Sequence, residues 1–273
     1  MNIASSGTTR SYPSLDFSPT LLRCAALALL TLVGLASAPA QAAIPPSERQ
    51  VLIDLYTSTN GASWDNATGW LSAVGSECTW VGVTCDGAEA HVYQIDLGHD
   101  NLAGPLPPLA GLTNLVYFYV HNNQLTGPIP ALAGMSNLAG FEVSNNQLTG
   151  PVPALAGLSN LHDFEADNNE LSGTIPPLAG LSNLQIFYVS NNQLSGTIPS
   201  LTDLTHLWGF NVGNNQLRGD VPGVPSPNAL NPGSSTLCPN ALIHTPNADW
   251  DAATGQTPWY QDCDSIFSDG FDG

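Results

Sequence analysis

The sequence predicts an α/β solenoid of stacked repeats, and the first observation behind this prediction is a period of 23 residues. The second residue of an Asn-Asn pair recurs at this interval, and an aspartate holds the same position one step earlier. The positions are Asp100, Asn123, Asn146, Asn169, Asn192 and Asn215. Self-similarity at a fixed period of about 20–50 residues is typical of solenoids. Six units therefore fill residues 92–222.

The second observation is the apolar pattern within one unit. In the second unit the apolar positions are Leu115, Phe118, Val120 and Leu125. Phe118 and Val120 are two residues apart in an extended run, which places them on one face of a short strand. A single unit cannot bury that face, so we expect neighbouring units to stack and to share one core.

The third observation is the turn that follows each strand. A buried asparagine amide offers two donors and an acceptor, so Asn123 and its copies predict a ladder that satisfies backbone groups through the stack. Asp100 cannot donate in the same way, so the first rung is expected to differ. Gly127 permits a tight backbone path and Pro130 suppresses helix. The convex side is therefore predicted to be mostly extended or 3-10.

The repeat template is L-x-x-x-[apolar]-x-L/V-x-x-N-x-L-x-G-x-I/V-P, followed by L-A-G-L. It resembles the leucine-rich-repeat family, and the L-x-G-x-I-P segment is similar to the plant-specific subclass of receptor-kinase ectodomains and polygalacturonase-inhibiting proteins. The resemblance implies short parallel strands on a concave face, which is the usual binding surface. Secreted bacterial proteins share these repeats, and the ending Ile-Phe-Ser-Asp-Gly-Phe-Asp resembles one found on such proteins. We therefore expect a secreted bacterial member.

The chain divides into five segments. Residues 1–42 resemble a secretory signal, because Arg10 and Arg23 precede a short apolar run and Ala-Gln-Ala ends the segment. The predicted segments are 1–42 as a signal peptide, 43–91 as an N-terminal cap, 92–222 as the repeats, 223–263 as a C-terminal cap and 264–273 as an acidic tail. No later run is long and apolar enough to cross a bilayer. The expected location is extracellular or periplasmic.

The N-terminal cap is predicted to begin with an amphipathic helix. Ser47 and Gln50 are spaced like a capping box, and apolar residues recur at helical spacing up to about Tyr56. Three tryptophans follow, at positions 64, 70 and 80. They are interpreted as packing that seals the open end of the solenoid, rather than as a sugar-binding platform.

The cysteines predict two disulfides. Secretion favours disulfides over zinc, and the four cysteines that follow the signal allow three pairings. They are Cys78, Cys85, Cys238 and Cys263. A stack of six strands is roughly 25–30 Å long, whereas a disulfide needs Cα atoms within about 7 Å. The predicted pairs are therefore Cys78–Cys85 and Cys238–Cys263, one in each cap.

The charge balance is strongly acidic. The chain has four Lys and Arg residues against 22 Asp and Glu residues. Removal of residues 1–42 leaves two arginines against 21 acids, a net charge of −19. Such a surface repels nucleic acid and anionic membranes. It is consistent either with a solubility device or with a basic partner.

The outward strand positions predict an acidic and aromatic patch on the concave face. The candidate partner-binding residues are Tyr117, Tyr119, His121, Glu142, Asp163, Glu165, Asp167 and Tyr188. Because neighbouring strands lie about 4.8 Å apart, the four acids are expected to converge between the tyrosines. Three interpretations remain open: a solvated acidic face, a contact with a protein or peptide, or a site for a cation or glycan.

Catalysis is not predicted. Glu142 and Glu165 are a carboxylate pair of the kind that glycosidases use, but an open strand face offers no pocket to raise a carboxyl pKa. His121 and Ser144, which both occupy outward strand positions, would need a nucleophile motif that the chain lacks. We expect no cofactor and no metal.

The predicted function is a secreted, non-catalytic module that binds an extracellular protein or peptide, with a preference for basic partners. Two alternatives stay open. One is an inhibitor of an extracellular carbohydrate-active enzyme, as the resemblance to polygalacturonase-inhibiting proteins implies, and the other is a carbohydrate-binding envelope protein. Repeat folds host many functions, so the sequence does not name the partner.

Overall fold

A computed structural model describes residues 44–261 and residue 263, all of which lie in the compact unit Gln41–Gly273. The predicted signal peptide and acidic tail lie outside the described residues. The helices are α1 (Pro46–Ser58) and α2 (Ala248–Thr254), with 3-10 turns at Gly61–Ser63 and Glu77–Thr79. The strands are β1 (Val83–Cys85), β2 (Val92–Asp96), β3 (Ala103–Pro105), β4 (Tyr117–Tyr119), β5 (Gln124–Pro128), β6 (Gly140–Glu142), β7 (Gln147–Gly150), β8 (Asp163–Glu165), β9 (Glu170–Thr174), β10 (Ile186–Tyr188), β11 (Gln193–Gly196), β12 (Gly209–Asn211), β13 (Gln216–Gly219) and β14 (Ala241–Leu242).

The strands form two seven-stranded sheets that each take one strand from every repeat. The first sheet has the order β1-β2-β4-β6-β8-β10-β12 and is parallel except for the antiparallel pair β1–β2. The second has the order β14-β13-β11-β9-β7-β5-β3 and is parallel. The predicted parallel-strand solenoid is confirmed. The backbone after each turn is extended, as one of the two predicted options, but its pairing into a second sheet was not predicted.

The core between the sheets is a continuous apolar column. One phenylalanine from each of five successive repeats stacks on the next, with ring centroids 5.5–5.8 Å apart. The stacked residues are Phe118, Phe141, Phe164, Phe187 and Phe210, and all are fully buried. Each large apolar side chain buried in this way contributes roughly 1.5–3 kcal/mol. Because these contacts join neighbouring units, stability arises between repeats rather than within them.

The two asparagines of each pair have different tasks. The first adopts a left-handed backbone, with φ of 52–55° at positions 122, 145, 168, 191 and 214. Asparagine tolerates this conformation better than most other residues. The second points inward: Asn146 Nδ2 donates to Val120 O and Val143 O, both at 3.0 Å, and its Oδ1 accepts from Leu125 N at 2.9 Å. The same pattern recurs at Asn169, Asn192 and Asn215.

The ladder differs at its two ends. Asp100 Oδ1 accepts from Asn66 N at 2.7 Å, so this residue ties the N-terminal cap to the first repeat instead of repeating the asparagine pattern. Beyond the last repeat, Asn240 accepts from Leu217 N at 2.9 Å and donates to Val212 O at 2.9 Å. Asn240 therefore continues the ladder into the C-terminal cap, although the 23-residue period does not reach it.

Tryptophans and disulfides close both ends of the column. Trp64, Trp70 and Trp80 are buried, and the neighbouring rings among them have centroids 4.8 Å and 5.1 Å apart. Trp250 and Trp259 are buried in the C-terminal cap. Disulfides join Cys78 to Cys85 and Cys238 to Cys263, with Cα–Cα distances of 5.4 Å and 4.7 Å.

The capping-box prediction for α1 is wrong. The helix begins one residue earlier than Ser47, its N-cap is Pro45, and no side chain caps it. Gln50 instead donates from Nε2 to Asp54 Oδ1 at 2.8 Å, one turn further along the helix. A proline that precedes the first turn fixes the backbone there, and proline is well tolerated among the first helical residues.

Removal of one rung of the ladder should destabilise the whole stack. In Asn169→Ala, four hydrogen bonds are lost, one of them from the backbone N–H of the buried Leu148. We expect the free energy of unfolding to fall by about 2–4 kcal/mol, as measured by urea denaturation followed by circular dichroism. The exposed Gln147→Ala in the same sheet region is the control, with an expected change below about 0.5 kcal/mol. Equal losses in both variants would contradict a ladder role.

Candidate binding face

The solvent-exposed side of the first sheet is called the concave face here. Its strands pair in register, so outward residues form rows across the repeats. One row contains Gln94, Tyr117, Gly140, Asp163, Ile186 and Gly209, and a second contains Asp96, Tyr119, Glu142, Glu165, Tyr188 and Asn211. The predicted patch residues from these rows are all half-buried. They lie on adjacent strands about 4.8 Å apart.

The acidic side chains crowd at β6 and β8. Glu142 and Glu165 are direct partners in the parallel register, and Asp163 lies two residues before Glu165. Burial raises the pKa of Glu165 to about 7, and the charges of Glu142, Asp167 and Asp163 add to the rise. Burial also raises the pKa of Glu142 and of Asp163. The patch therefore resists carrying its full negative charge when no cation is present.

His121 is the basic neighbour of this cluster. Its Nδ1 lies 3.2 Å from Glu142 Oε1 without the geometry of a hydrogen bond, so the contact is electrostatic. The charge of His121 lowers the pKa of Glu142 but does not outweigh burial. The imidazole also packs edge-on against His99, with centroids 5.2 Å apart.

The tyrosines lean along the sheet over glycines of the next strand. A Cβ atom at Gly140 would lie 2.7 Å from the Tyr119 hydroxyl and 2.9 Å from Tyr117 Cδ1. A Cβ atom at Gly209 would lie 2.6 Å from the Tyr188 hydroxyl. Burial and the nearby carboxylates raise the pKa of Tyr119 to about 12, so its hydroxyl stays neutral and can donate. The hydroxyl end of Tyr188 leans towards β12, while the residue pairs with Glu165 in the sheet, and the charges of Glu165, Asp167 and Asp163 add to the effect of burial in raising its pKa.

Ser144 does not face the solvent, so its assignment to the outward set is wrong. It is only 4% exposed, and its Oγ donates to Asp167 Oδ1 at 2.9 Å. The hydroxyl thus orients one carboxylate of the patch. Because Ser144 is buried and bonded to an acid, the structure gives no support to a His121–Ser144 nucleophile.

Sequence reasoning missed Trp208 and His162, which come directly before β12 and β8. The Trp208 indole Nε1 donates to Gln185 Oε1 at 3.4 Å, and the charge of His162 lowers the pKa of Asp163. Both occupy the second position of the L-x-x-[apolar] strand pattern. Treating that position as outward-facing as well would have found them.

Among residues 44–261 and 263, no group of three or more His, Cys, Asp or Glu side chains is arranged to hold a metal ion. The helices in this part of the chain are also too short or too polar to span a bilayer.

Comparisons with known proteins match both the N-terminal cap and the repeats. A model of the leucine rich repeat N-terminal domain matches residues 45–86, and a leucine rich repeat model matches residues 183–203. The receptor-like protein kinase HSL1 of Arabidopsis thaliana is 42% identical over 55 residues, which make up 20% of this chain and 6% of HSL1.

Solved structures extend the likeness to most of the chain. The plant peptide hormone receptor RGFR1 in complex with RGF2 is 32% identical, with a TM-score of 0.51, over 55% of this chain and 25% of the receptor. A plant ice-binding protein is 25% identical, with a TM-score of 0.60, over 73% of this chain and 65% of that protein. The structure of PEPR1 with AtPEP1 is 24% identical, with a TM-score of 0.61, over 76% of this chain and 34% of that one. At this identity the likeness shows the fold alone.

The chain spans less than two thirds of each of these relatives. HSL1 and the plant proteins among them give no support to a bacterial source.

The crowded carboxylates should make stability depend on pH in a defined direction. A raised pKa of Glu165 in the folded state favours folding at low pH, and this contribution is lost as pH rises through about 7. We therefore expect Glu165→Gln to be more stable than the native chain at about pH 8, by up to about 1 kcal/mol in the free energy of unfolding, since the group is only half-buried and screened. Thermal unfolding would detect this as a higher midpoint temperature.

Near pH 4.5, which is the ordinary pKa of glutamate, the two proteins should unfold at the same temperature. The exposed Glu170→Gln controls for the loss of one charge, and it should leave the unfolding temperature unchanged at both pH values. An equal effect of both variants would mean that net charge, not crowding at β8, sets the dependence.

Proposed function

Because the chain is a leucine-rich-repeat protein, we propose that it is a non-catalytic module that binds a basic protein or peptide through the concave face. The observation that carries this proposal is the cluster of Glu142, Asp163, Glu165 and Asp167 between half-buried tyrosines. An acidic patch selects partners with lysine or arginine, and tyrosine is enriched at the residues that dominate binding energy. Aromatic faces also attract cations directly.

The relatives favour a peptide as the partner. RGFR1 is a plant peptide hormone receptor solved in complex with RGF2. This chain matches a quarter of that receptor at 32% identity, so the likeness supports a similar class of ligand and not the same ligand.

An extracellular location fits the same proposal. The two disulfides form and persist in oxidising compartments. We propose that residues 1–42 direct the chain there and are removed.

The site can be tested with a charge-matched pair of variants. The site variant changes Glu142 and Glu165 to Gln and Asp163 and Asp167 to Asn. The control variant makes the same number of changes at exposed acids elsewhere: Glu170→Gln, Asp203→Asn, Asp220→Asn and Asp249→Asn. Both proteins then carry the same net charge, so any difference arises from position.

Each immobilised protein would be incubated with extracellular fluid, and the captured proteins would be identified by mass spectrometry. We expect the native chain and the control variant to hold the same basic ligand and the site variant to lose it by at least about tenfold. Equal capture by both variants would contradict the proposal. Capture of a glycoside hydrolase whose activity falls stoichiometrically would instead indicate the enzyme-inhibitor alternative, and a response to soluble oligosaccharide would indicate a glycan ligand.

We propose ice binding as a second candidate function, based on the outer side of the second sheet. In the parallel register of this sheet, a hydroxyl residue of one repeat lies beside an amide or acidic residue of the next, on strands about 4.8 Å apart. The pairs are Thr126 with Gln147, Thr149 with Glu170, Ser172 with Gln193 and Ser195 with Gln216. A fixed repeat of hydroxyl and amide groups offers a lattice-like hydrogen-bonding surface. The likeness to a plant ice-binding protein supports this candidate.

Ice recrystallisation assays would test the second candidate. Thr126→Lys together with Thr149→Lys places two charges among these polar pairs, and we expect these changes to abolish inhibition of crystal growth. Glu165→Gln on the other sheet serves as the control and should inhibit as well as the native chain. Absence of inhibition by the native chain would rule the candidate out.

A further inference from the structure

The carboxylates of the acidic cluster, which is formed by Glu142, Asp163, Glu165 and Asp167, repel one another. The parallel register places Glu142 directly opposite Glu165, and like charges directly opposite one another in a sheet are destabilising. Asp167, which is held by the hydroxyl of Ser144 at 2.9 Å, adds a third negative charge on the same side of β8. A bound cation would relieve this repulsion, and so would a proton.

The other titratable groups on this face are carboxyl groups, histidines and tyrosines. Those that face the cluster from the neighbouring strands are Asp96, Tyr117, Tyr119, His121, His162, Asp163 and Tyr188. Acidification protonates carboxylates and gives histidines a positive charge. The tyrosines stay neutral, because the pKa of each of the three is raised from its usual value. As pH falls, the face therefore changes from strongly negative towards neutral or positive.

We propose that the concave face is a pH-sensitive site, which holds a cationic peptide near neutral pH and releases it on mild acidification. This inference rests on the proposed function, since it concerns the same site and the same class of ligand. It adds that proton and ligand compete for the carboxylates of Glu142 and Glu165.

The direction in which affinity changes with pH follows from the linkage between proton binding and ligand binding. A cationic ligand binds best to the ionised carboxylates, so its affinity is greatest above the pKa of Glu165 in the free protein, which is about 7. Below that value each ligand that binds must displace a proton, and affinity falls with pH. One pH unit below the pKa only about a tenth of a carboxyl group is ionised. A drop to about pH 5.5 should therefore weaken binding by at least about tenfold.

The direct test uses a fluorescently labelled oligo-arginine peptide, with an oligo-citrulline peptide as its uncharged match. Dissociation constants would be measured by fluorescence polarisation at about pH 8 and about pH 5.5 at constant ionic strength. We expect the oligo-arginine peptide to bind the native chain at least about tenfold more weakly at the lower pH. Glu165→Gln should bind weakly at both values and lose most of the pH dependence, and Glu170→Gln should behave as the native chain does.

The outcomes separate the two proposals. Equal binding at both pH values, or an unchanged pH dependence in Glu165→Gln, would overturn the pH-sensitive site and leave the binding face in place. No binding of the oligo-arginine peptide at pH 8 would overturn both the basic-ligand preference and this inference.

A measurement without ligand checks the same point. In the protein labelled with ¹³C at glutamate side-chain carboxyls, NMR would follow the titration of Glu165 beside that of the exposed Glu170. We expect the titration midpoint of Glu165 to lie at a distinctly higher pH than that of Glu170. Saturating oligo-arginine should shift the midpoint of Glu165 to lower pH. Identical titration of the two groups would overturn the inference regardless of the peptide result.

Discussion

Each repeat after the first leaves the first sheet at an inward-pointing asparagine whose side-chain amide bonds to backbone groups of its own and the preceding repeat, as at Asn146. A turn that enters the core removes backbone carbonyls and amides from water, and a buried unpaired group costs free energy. The amide meets this need and also fixes the distance between repeats. The register of both sheets depends on it, and so does the placement of Glu142 opposite Glu165.

The inward-pointing asparagines and the stacked strands could be predicted from the sequence because the same 23-residue pattern recurs. Asn123 and its copies share the same neighbours, so one argument served five rungs. Features set by contacts between non-equivalent residues were missed. Asn240 takes the next rung outside the 23-residue period, and Pro45 rather than Ser47 is the N-cap of the first helix. The second sheet was missed because the L-x-G-x-I-P segment shows only that the chain is extended, not what it pairs with.

The candidate site shows the same division. Alternation along the strands correctly indicated which side Tyr117, Asp163 and Glu165 face. It was wrong for Ser144, because this small side chain sits near the strand end, where the chain begins to turn inward and Asp167 covers the hydroxyl. The tilt of Tyr188 depends on the missing side chain at Gly209 on another strand, and a single repeat contains no sign of it.

The glycines beneath the tyrosines have a consequence for recognition. Gly140 and Gly209 leave space into which the rings of Tyr119 and Tyr188 already lie. An aromatic side chain that is held in place before its ligand arrives has little rotational freedom left to lose on binding. The repeats thus present a preorganised surface, in which rigidity of the backbone is passed on to the side chains that make contact. Affinity would then reflect complementarity between the two partners more than the cost of ordering this one.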